Sequence, residues 1–171
     1  MRLRNIPRAE GTISAHPAVI KRPEDQRGCW KQVFGNKHPI RIEIGMGKGR
    51  FLLNMAKQNP GINFVGVERY SSVLLRAIEK YDTEEFNELK NIRFVCMDAR
   101  KIDEVFAPDE VDRIYLNFSD PWPKARHAKR RLTSVEFLER YENVLVPYGT
   151  VEFKTDNTEL FNFSLEQIKE S

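Results

Sequence analysis

Apolar and polar positions along this 171-residue chain switch repeatedly between a strand-like and a helix-like spacing. Short apolar runs are typical of buried strands, and the longer segments between them carry apolar residues on one helical face. Alternating strands and helices predict right-handed crossovers and a doubly wound, mostly parallel sheet covered on both faces, an α/β fold. The predicted strands are Ile40–Ile44, Ile62–Val67, Ile92–Met97, Arg113–Phe118 and Val151–Lys154.

Helical patterns fill the intervals between the predicted strands. Asn157 is suited to cap a last helix that runs to the end of the chain, and Pro147–Gly149 predicts a turn. Residues 1–38 show little periodicity and carry several prolines, so we interpret them as an N-terminal arm with one short helix near Gly28–Phe34, followed by one domain at 39–171. The other predicted helices are Arg50–Gln58, Ser72–Tyr81, Ile102–Phe106 and Ser134–Val144.

The first predicted strand runs into a glycine-rich loop. Gly45, Gly47 and Gly49 stand at alternate positions, where they allow a sharp turn into a helix with a ligand against bare backbone. The dinucleotide fingerprint requires a sixth-position glycine, but the chain has Arg50 there. Glu43, beside the turn, would repel a pyrophosphate and attract an amine and a sulfonium. The loop favours S-adenosylmethionine over NAD; a tight turn without a ligand is the simpler alternative.

Acidic residues stand at the exits of four successive predicted strands, namely Glu43, Glu68, Asp98 and Asp120. In a doubly wound sheet these positions line one crevice. Glu68 lies 19 residues after Gly49, a separation at which an acid accepts hydrogen bonds from ribose hydroxyls. Asp98 is placed to accept from an adenine amino group, and Glu43 can pair with the amino group of the methionine portion. One such acid is more often a helix cap or a solvated loop residue, but four predict a cofactor site.

The net charge of the chain is small, but its basic residues are clustered. The formal net charge is only +3, and no acidic residue occurs from Pro121 to Val135. A solvated charged loop normally has acids interspersed, so this segment favours binding to a nucleic acid. The basic residues concerned are Lys124, Arg126, Lys129, Arg130 and Arg131, with His127 among them, and a second group at the start, Arg2, Arg4 and Arg8.

A rigid aromatic loop precedes the basic segment. Pro121 and Pro123 flank Trp122 and restrict the backbone. The Trp122 ring is then available to lie near a stacked base, although packing of the ring on the core is an equal alternative. A polar and aromatic pocket that continues into a cationic segment suggests a base held at the crevice with its phosphates beside it.

Other features exclude several classes of site. Cys29 and Cys96 have no C-x-x-C partner, so we expect reduced thiols in a cytoplasmic protein. The three histidines lack ligand spacing, which predicts no metal site. No apolar run approaches the roughly 18–20 residues of a membrane span, and the first residues do not resemble a signal peptide.

Several of these motifs together resemble one known family. Asn117–Pro123 is followed by Arg-His-x-Lys-Arg-Arg-Leu-Thr at 126–133, and the chain also has Glu-Ile-Gly-x-Gly-Lys-Gly at 43–49 and Phe-Lys-Thr-Asp-Asn at 153–157. This combination is similar to bacterial tRNA (guanine-N7)-methyltransferases, from about Arg2 to the end. The resemblance implies a class I methyltransferase fold of the Rossmann-like type, S-adenosyl-L-methionine as cofactor and methylation of N7 of a guanine in the tRNA variable loop.

The resemblance also implies roles for individual residues. Asp120 would be the catalytic residue, Lys124 and Asp156 would contact the substrate, and the basic residues Arg126, His127, Lys129, Arg130 and Arg131 would bind RNA. The residues implied at the cofactor are Glu43, Gly45, Gly47, Gly49, Glu68, Asp98 and Asp120. The family continues past the fifth strand with a closing β-hairpin and a T-x-Y-E motif. This sequence contains neither, so we expect a C-terminally truncated domain.

Three other functions are open on the residues alone. Asp120-Pro121-Trp122 loosely resembles the D-P-P-[YFW] loop of enzymes that methylate exocyclic amino groups, although Trp122 stands at the third position. A binding module would keep affinity for tRNA or cofactor without turnover. An NAD-linked oxidoreductase is the weakest alternative because Arg50 interrupts the fingerprint. The sequence does not give the oligomeric state, whether monomer or homodimer.

Overall fold

The computed structural model describes residues 4–171. Its sheet has five strands in the order β3-β2-β1-β4-β5, and every strand pairing in it is parallel. From β1 the chain first adds strands on one side (β2 and β3) and then on the other side (β4 and β5). A ligand crevice is therefore expected at β1, beyond the carboxyl ends of β1 and its neighbours. The predicted doubly wound sheet is confirmed. Its strands are β1 Ile40–Ile44, β2 Asn63–Glu68, β3 Ile92–Cys96, β4 Val111–Asn117 and β5 Leu145–Lys154.

Seven α-helices accompany the strands in the described part of the chain. Asn157 caps the last of them, as predicted, because its Oδ1 accepts a hydrogen bond from the Leu160 N–H at 2.8 Å. Short 3₁₀ helices cover Pro23–Gln26, Ala99–Lys101 and Ala125–Arg130. The α-helices are α1 Ala9–Ala15, α2 Trp30–Phe34, α3 Arg50–Gln58, α4 Ser71–Tyr81, α5 Ile102–Val105, α6 Val135–Glu142 and α7 Thr158–Glu170.

The sheet is buried on both faces, as expected for a parallel sheet between helices. One face carries Phe64 and Phe94 against α1, α3 and α4. The other carries Ile42 and Val65 against α2, α5 and α6. All six residues of β2 are buried. The two apolar layers hold the strand ends rigidly and so fix the positions of the acidic residues that follow them.

The N-terminal arm contributes to both layers. Ala9 and Ile13 of α1 are buried in the first layer, and Trp30 of α2 is buried in the second, where its Nε1–H donates to the Val105 carbonyl at 2.9 Å. Val19 forms an isolated parallel bridge with Phe94 at the edge of β3. The short helix near Gly28–Phe34 is confirmed. Helix α1 was not predicted because seven residues between two prolines are too few to show a helical period. Arg2, grouped above with Arg4 and Arg8, lies outside the described residues.

The fifth strand differs from its prediction. It begins at Leu145, which pairs with Val111, and resumes its pairing with Thr150 opposite Arg113. The residues between form a bulge in which Tyr148 has φ 65° and is fully exposed. The expected turn at Pro147–Gly149 therefore lies inside the strand, and the predicted start at Val151 was wrong. Local turn signals cannot show that pairing continues on both sides of a bulge.

Candidate cofactor and substrate site

The glycine loop connects β1 to α3 over the end of β2. The N–H groups of Gly45 and Met46 both donate to the Val67 carbonyl, at 2.9 and 3.1 Å. Gly49 has φ 80°, and a Cβ there would lie 3.0 Å from the Ala77 Cβ, so α3 can begin against α4 only with glycine at this position. A Cβ on Gly47 would meet no atom within 4 Å, which shows that this part of the loop faces open space. The backbone of the loop is therefore accessible to a ligand.

Glu43, at the fourth position of β1, is the most buried acid of the crevice. Its side chain accepts a hydrogen bond from Asn117 Nδ2 at 2.8 Å through Oε2, and the residue is only 2% exposed. Burial raises the pKa of Glu43 to about 7; the Asn117 hydrogen bond opposes that shift and the nearby Glu68 carboxylate adds to it. The carboxylate is thus costly to ionise without a positive partner.

Glu68 lies close enough to both Glu43 and Asp120 for their charges to interact. Glu68 is buried and accepts a hydrogen bond from the Tyr70 N–H at 3.3 Å. Burial raises the pKa of Glu68, hydrogen bonds from the N–H groups of Tyr70, Arg69 and Gly47 lower it, and the charge of Asp120 raises it again. The structure therefore brings together Glu43, Glu68 and Asp120, which come from three strand exits.

Asp98 lies at the next strand exit but is already paired. The Met97 N–H donates to the Glu68 carbonyl at 3.1 Å, which places Asp98 beside the end of β2. Its carboxylate accepts from the Arg100 N–H at 2.9 Å and from Arg100 Nη2 at 2.8 Å. This hydrogen bonding lowers the pKa of Asp98. Asp98 is therefore both a strand-exit acid and the cap of the 3₁₀ turn that follows.

Two buried polar side-chain atoms, one at the exit of β1 and one just past β4, have no hydrogen-bond partner. Among the buried side-chain nitrogen and oxygen atoms of residues 4–171, only Glu43 Oε1 and Ser119 Oγ are unpaired. An unsatisfied buried polar group costs about 1–3 kcal/mol, so its presence beside accessible backbone indicates a place for a polar ligand. Asn117 and Ser119 were not singled out from the sequence. Their position at the end of a strand, next to Asp120, was the available signal.

The loop that carries Asp120 is held in an unusual backbone conformation. Phe118 and Trp122, on either side of it, have φ values of 54° and 44°, a region that bulky residues rarely adopt. Strain of this kind, about 1–3 kcal/mol per residue, is typical of functional loops whose surroundings fix them. The Trp122 ring contacts His127 edge-on at 5.6 Å and lies 5.1 Å from the Arg130 guanidinium carbon. Trp122 therefore packs against the basic segment.

The basic segment leaves this loop as a 3₁₀ helix. Lys124, Arg126, Lys129 and Arg130 are exposed, and Lys129 forms a 3.5 Å ion pair with Glu136. Arg131 is half-buried and points back toward the Asp120 loop. Asp156 is exposed just past β5, which pairs with β4, the strand that leads to Asp120. The basic segment thus follows the Asp120 loop in sequence, and Asp156 follows the strand that pairs with β4.

Comparison with known proteins identifies the family. A family model described as "Putative methyltransferase" matches residues 37–171. A tRNA (guanine-N(7)-)-methyltransferase from Lachnoclostridium phytofermentans is 60% identical over 168 residues, which cover 98% of this chain and 77% of that protein. The chain belongs to the tRNA (guanine-N7)-methyltransferase family. A second tRNA (guanine-N7)-methyltransferase, from a Geobacillus species, is 54% identical over 96% of this chain and 74% of its own length.

A solved structure agrees on the fold. The aminoglycoside resistance methyltransferase NpmB1 superposes with a TM-score of 0.60 at 19% identity, over 82% of this chain and 66% of that one. At this identity the likeness establishes the class I methyltransferase fold alone. The predicted family and fold are both confirmed. No helix in residues 4–171 is long and apolar enough to cross a membrane.

Proposed function

We propose that this protein methylates N7 of a guanine in the variable loop of tRNA and uses S-adenosyl-L-methionine as the methyl donor. Membership of the tRNA (guanine-N7)-methyltransferase family supports both the reaction and the cofactor. One structural observation carries the proposal: the Asp120 loop joins the carboxylate crevice directly to the exposed basic segment. A donor held in the crevice and an RNA held on the segment would then meet at Asp120.

The residues of the crevice fit the proposed donor. Glu43 offers its unpaired Oε1 to the ammonium group, which would replace the missing positive partner of a buried carboxylate. Glu68 would accept hydrogen bonds from the ribose hydroxyls, and Asp98, whose carboxylate also binds Arg100, would accept one from the adenine amino group. The open backbone at Gly47 leaves room for the donor to lie against the loop. These assignments use three of the four predicted acids, and Asp120 is left for the reacting base.

The chemistry requires little proton transfer. The bound donor supplies an electrophilic methyl group on a sulfonium. Guanine N7 has an in-plane lone pair and no proton, so the protein does not need a strong general base. Positive charge moves onto the purine during transfer, and the Asp120 carboxylate would stabilise it there. Lys124 and Asp156 would hold the base and its backbone in line for attack.

The position of the new methyl group tests the reaction. The protein, incubated with tRNA and S-adenosylmethionine labelled on its methyl group, should yield 7-methylguanosine after complete digestion. Chromatography with authentic nucleosides separates this product from guanosines methylated on the exocyclic amine. Label on an amino nitrogen would establish the amino-methylating alternative, and binding of tRNA and donor without label transfer would establish a binding module.

Exposed arginines of the basic segment should supply much of the affinity for tRNA. Replacing both Arg126 and Arg130 with glutamine should weaken binding and reduce the salt slope, since each lost phosphate contact lowers it by about 0.7–0.9. Filter binding at several salt concentrations measures both quantities. Lys169→Gln, which removes one positive charge at the exposed end of α7, serves as the control and should leave the slope as in the parent protein. An unchanged slope in the double variant would show that the segment is only a solvated loop.

The remaining features fit a cytoplasmic enzyme. Cys29 and Cys96 are both free thiols, which suits a reducing compartment where tRNA is also present. We further propose that residues 39–171 form the methyltransferase domain and that residues 1–38 act as an arm that reinforces it.

A further inference from the structure

Arg131 differs from the other lysines and arginines of the basic segment because it is half-buried and donates hydrogen bonds to backbone carbonyls. Its Nε–H donates to the carbonyls of Pro121 and Trp122, at 3.1 and 3.2 Å, and its Nη2 donates to the Trp122 carbonyl at 2.9 Å. The flat face of the guanidinium lies over the Phe163 ring, with 4.4 Å between the guanidinium carbon and the ring centroid. Arg131 thus connects the Asp120 loop to α7.

The loop has few other restraints. In the described part of the chain, no backbone–backbone hydrogen bond involves residues 119–123. Trp122 nevertheless keeps a left-handed backbone conformation, which persists only where the surroundings impose it. The two carbonyls bound by Arg131 belong to the residues that immediately follow Asp120. These hydrogen bonds are therefore placed to fix the backbone from which the Asp120 side chain projects.

Helix α7 provides a rigid base for this connection. Thr133 Oγ1 and Ser164 Oγ are 2.6 Å apart in a buried hydrogen bond, and the Val135 N–H donates to Gln167 Oε1 at 2.8 Å. Together with Phe163, the helix residues Ser164 and Gln167 lie on one helical face because they are spaced three and four apart. The chain on the C-terminal side of Arg131 is consequently anchored to α7 at two further points.

We propose that Arg131 is a positioning residue, which uses Phe163 as a platform to fix the Asp120 loop, and is not an RNA contact. The proposal rests on the proposed function, in which Asp120 acts on the reacting base. A guanidinium suits this role because its N–H edge can bridge two carbonyls while its face stacks on an aromatic ring. Lysine has the same charge but neither the fork nor the flat face, so charge alone should not replace it.

Kinetics separate positioning from RNA binding. Arg131→Gln should lower kcat by about tenfold or more, since small displacements of a reacting group carry penalties of this order. The tRNA dissociation constant and its salt slope should stay close to those of the parent protein, and Arg131→Lys should not restore kcat. Arg126→Gln provides the contrast, with weaker tRNA binding and a smaller salt slope.

Fluorescence tests the loop without requiring turnover. The chain has two tryptophans, and Trp30 is fully buried, so a change in acrylamide quenching reports on Trp122. Quenching should increase in Arg131→Gln and, to a smaller extent, in Phe163→Leu, which keeps an apolar side chain but removes the ring. Phe163→Leu also covers the case in which Arg131→Gln does not fold.

Two results would overturn the proposal. One is a loss of tRNA affinity and salt slope in Arg131→Gln that matches Arg126→Gln, with kcat retained. The other is unchanged Trp122 quenching in both Arg131→Gln and Phe163→Leu. Absence of methyl transfer by the parent protein would instead refute the proposed function, and the quenching measurements would still decide whether Arg131 holds the loop.

Discussion

Asp120→Asn should lower kcat for methyl transfer by about 10²-fold and leave tRNA affinity unchanged. The substitution keeps the size of the side chain but removes the negative charge, and the loss of one preorganised electrostatic group at a reacting centre typically costs about 10²–10³ in rate. Positive charge reaches the purine only during transfer, so the loss should fall on the chemical step. Single-turnover transfer from labelled donor measures that step, and filter binding measures tRNA affinity.

Asp109→Asn is a suitable control for this experiment. Asp109 is exposed just before the start of β4, at the opposite end of this strand from Asp120, and has φ 61°. Asparagine tolerates this backbone region well, so the same charge is removed without strain. Turnover of Asp109→Asn should match the parent protein. Parent-like turnover of Asp120→Asn would remove Asp120 from the proposed mechanism.

Glu43→Gln should make the protein more stable at high pH while it abolishes binding of the donor. The folded-state pKa of Glu43 is raised from 4.5 to about 7, so the folded protein binds this proton more tightly than the unfolded chain does. The stability that protonated Glu43 contributes is fully present below pH 4.5 and is lost as the pH rises to about 7. Removing the charge should therefore raise the free energy of unfolding at pH 8 by up to about 3 kcal/mol.

Urea unfolding at pH 4.5 and pH 8 measures this effect. The gain in Glu43→Gln should be large at pH 8 and small at pH 4.5, and calorimetric titration with S-adenosylmethionine should show no binding. Glu166→Gln, on the exposed face of α7, is the control, and its free energy of unfolding should differ from that of the parent protein by the same small amount at both pH values. A loss of stability at pH 8 in Glu43→Gln would mean that ionised Glu43 is already compensated in the folded protein.

Features set by local pattern were predictable from the sequence. The five strands and the acids at their exits follow from apolar runs and from the rule that ligands bind beyond the carboxyl ends of parallel strands. Features set by distant partners were not. The bulge in β5 depends on pairing with β4, and α1 depends on burial against α4.

The same limit applies within the candidate site. Asn117 contacts Glu43, 74 residues earlier in the chain, and nothing near Asn117 signals that hydrogen bond. Arg131 appears in the sequence as one cation among several, because the ring beneath it belongs to a helix that begins 27 residues later. A run of basic residues thus predicts a charged surface. Which of these residues bind a ligand and which bind other parts of the protein depends on the fold.

The placement of the arm has a consequence for synthesis on the ribosome. The indole of Trp30 donates to Val105, and Val19 bridges Phe94, so the earliest segments must wait about 75 residues for their partners to emerge. Contacts this distant in sequence slow folding because a long loop must close first. Until translation passes α5, Trp30 and the apolar side of α1 have no completed core to enter, and a nascent chain paused there would present both to chaperones.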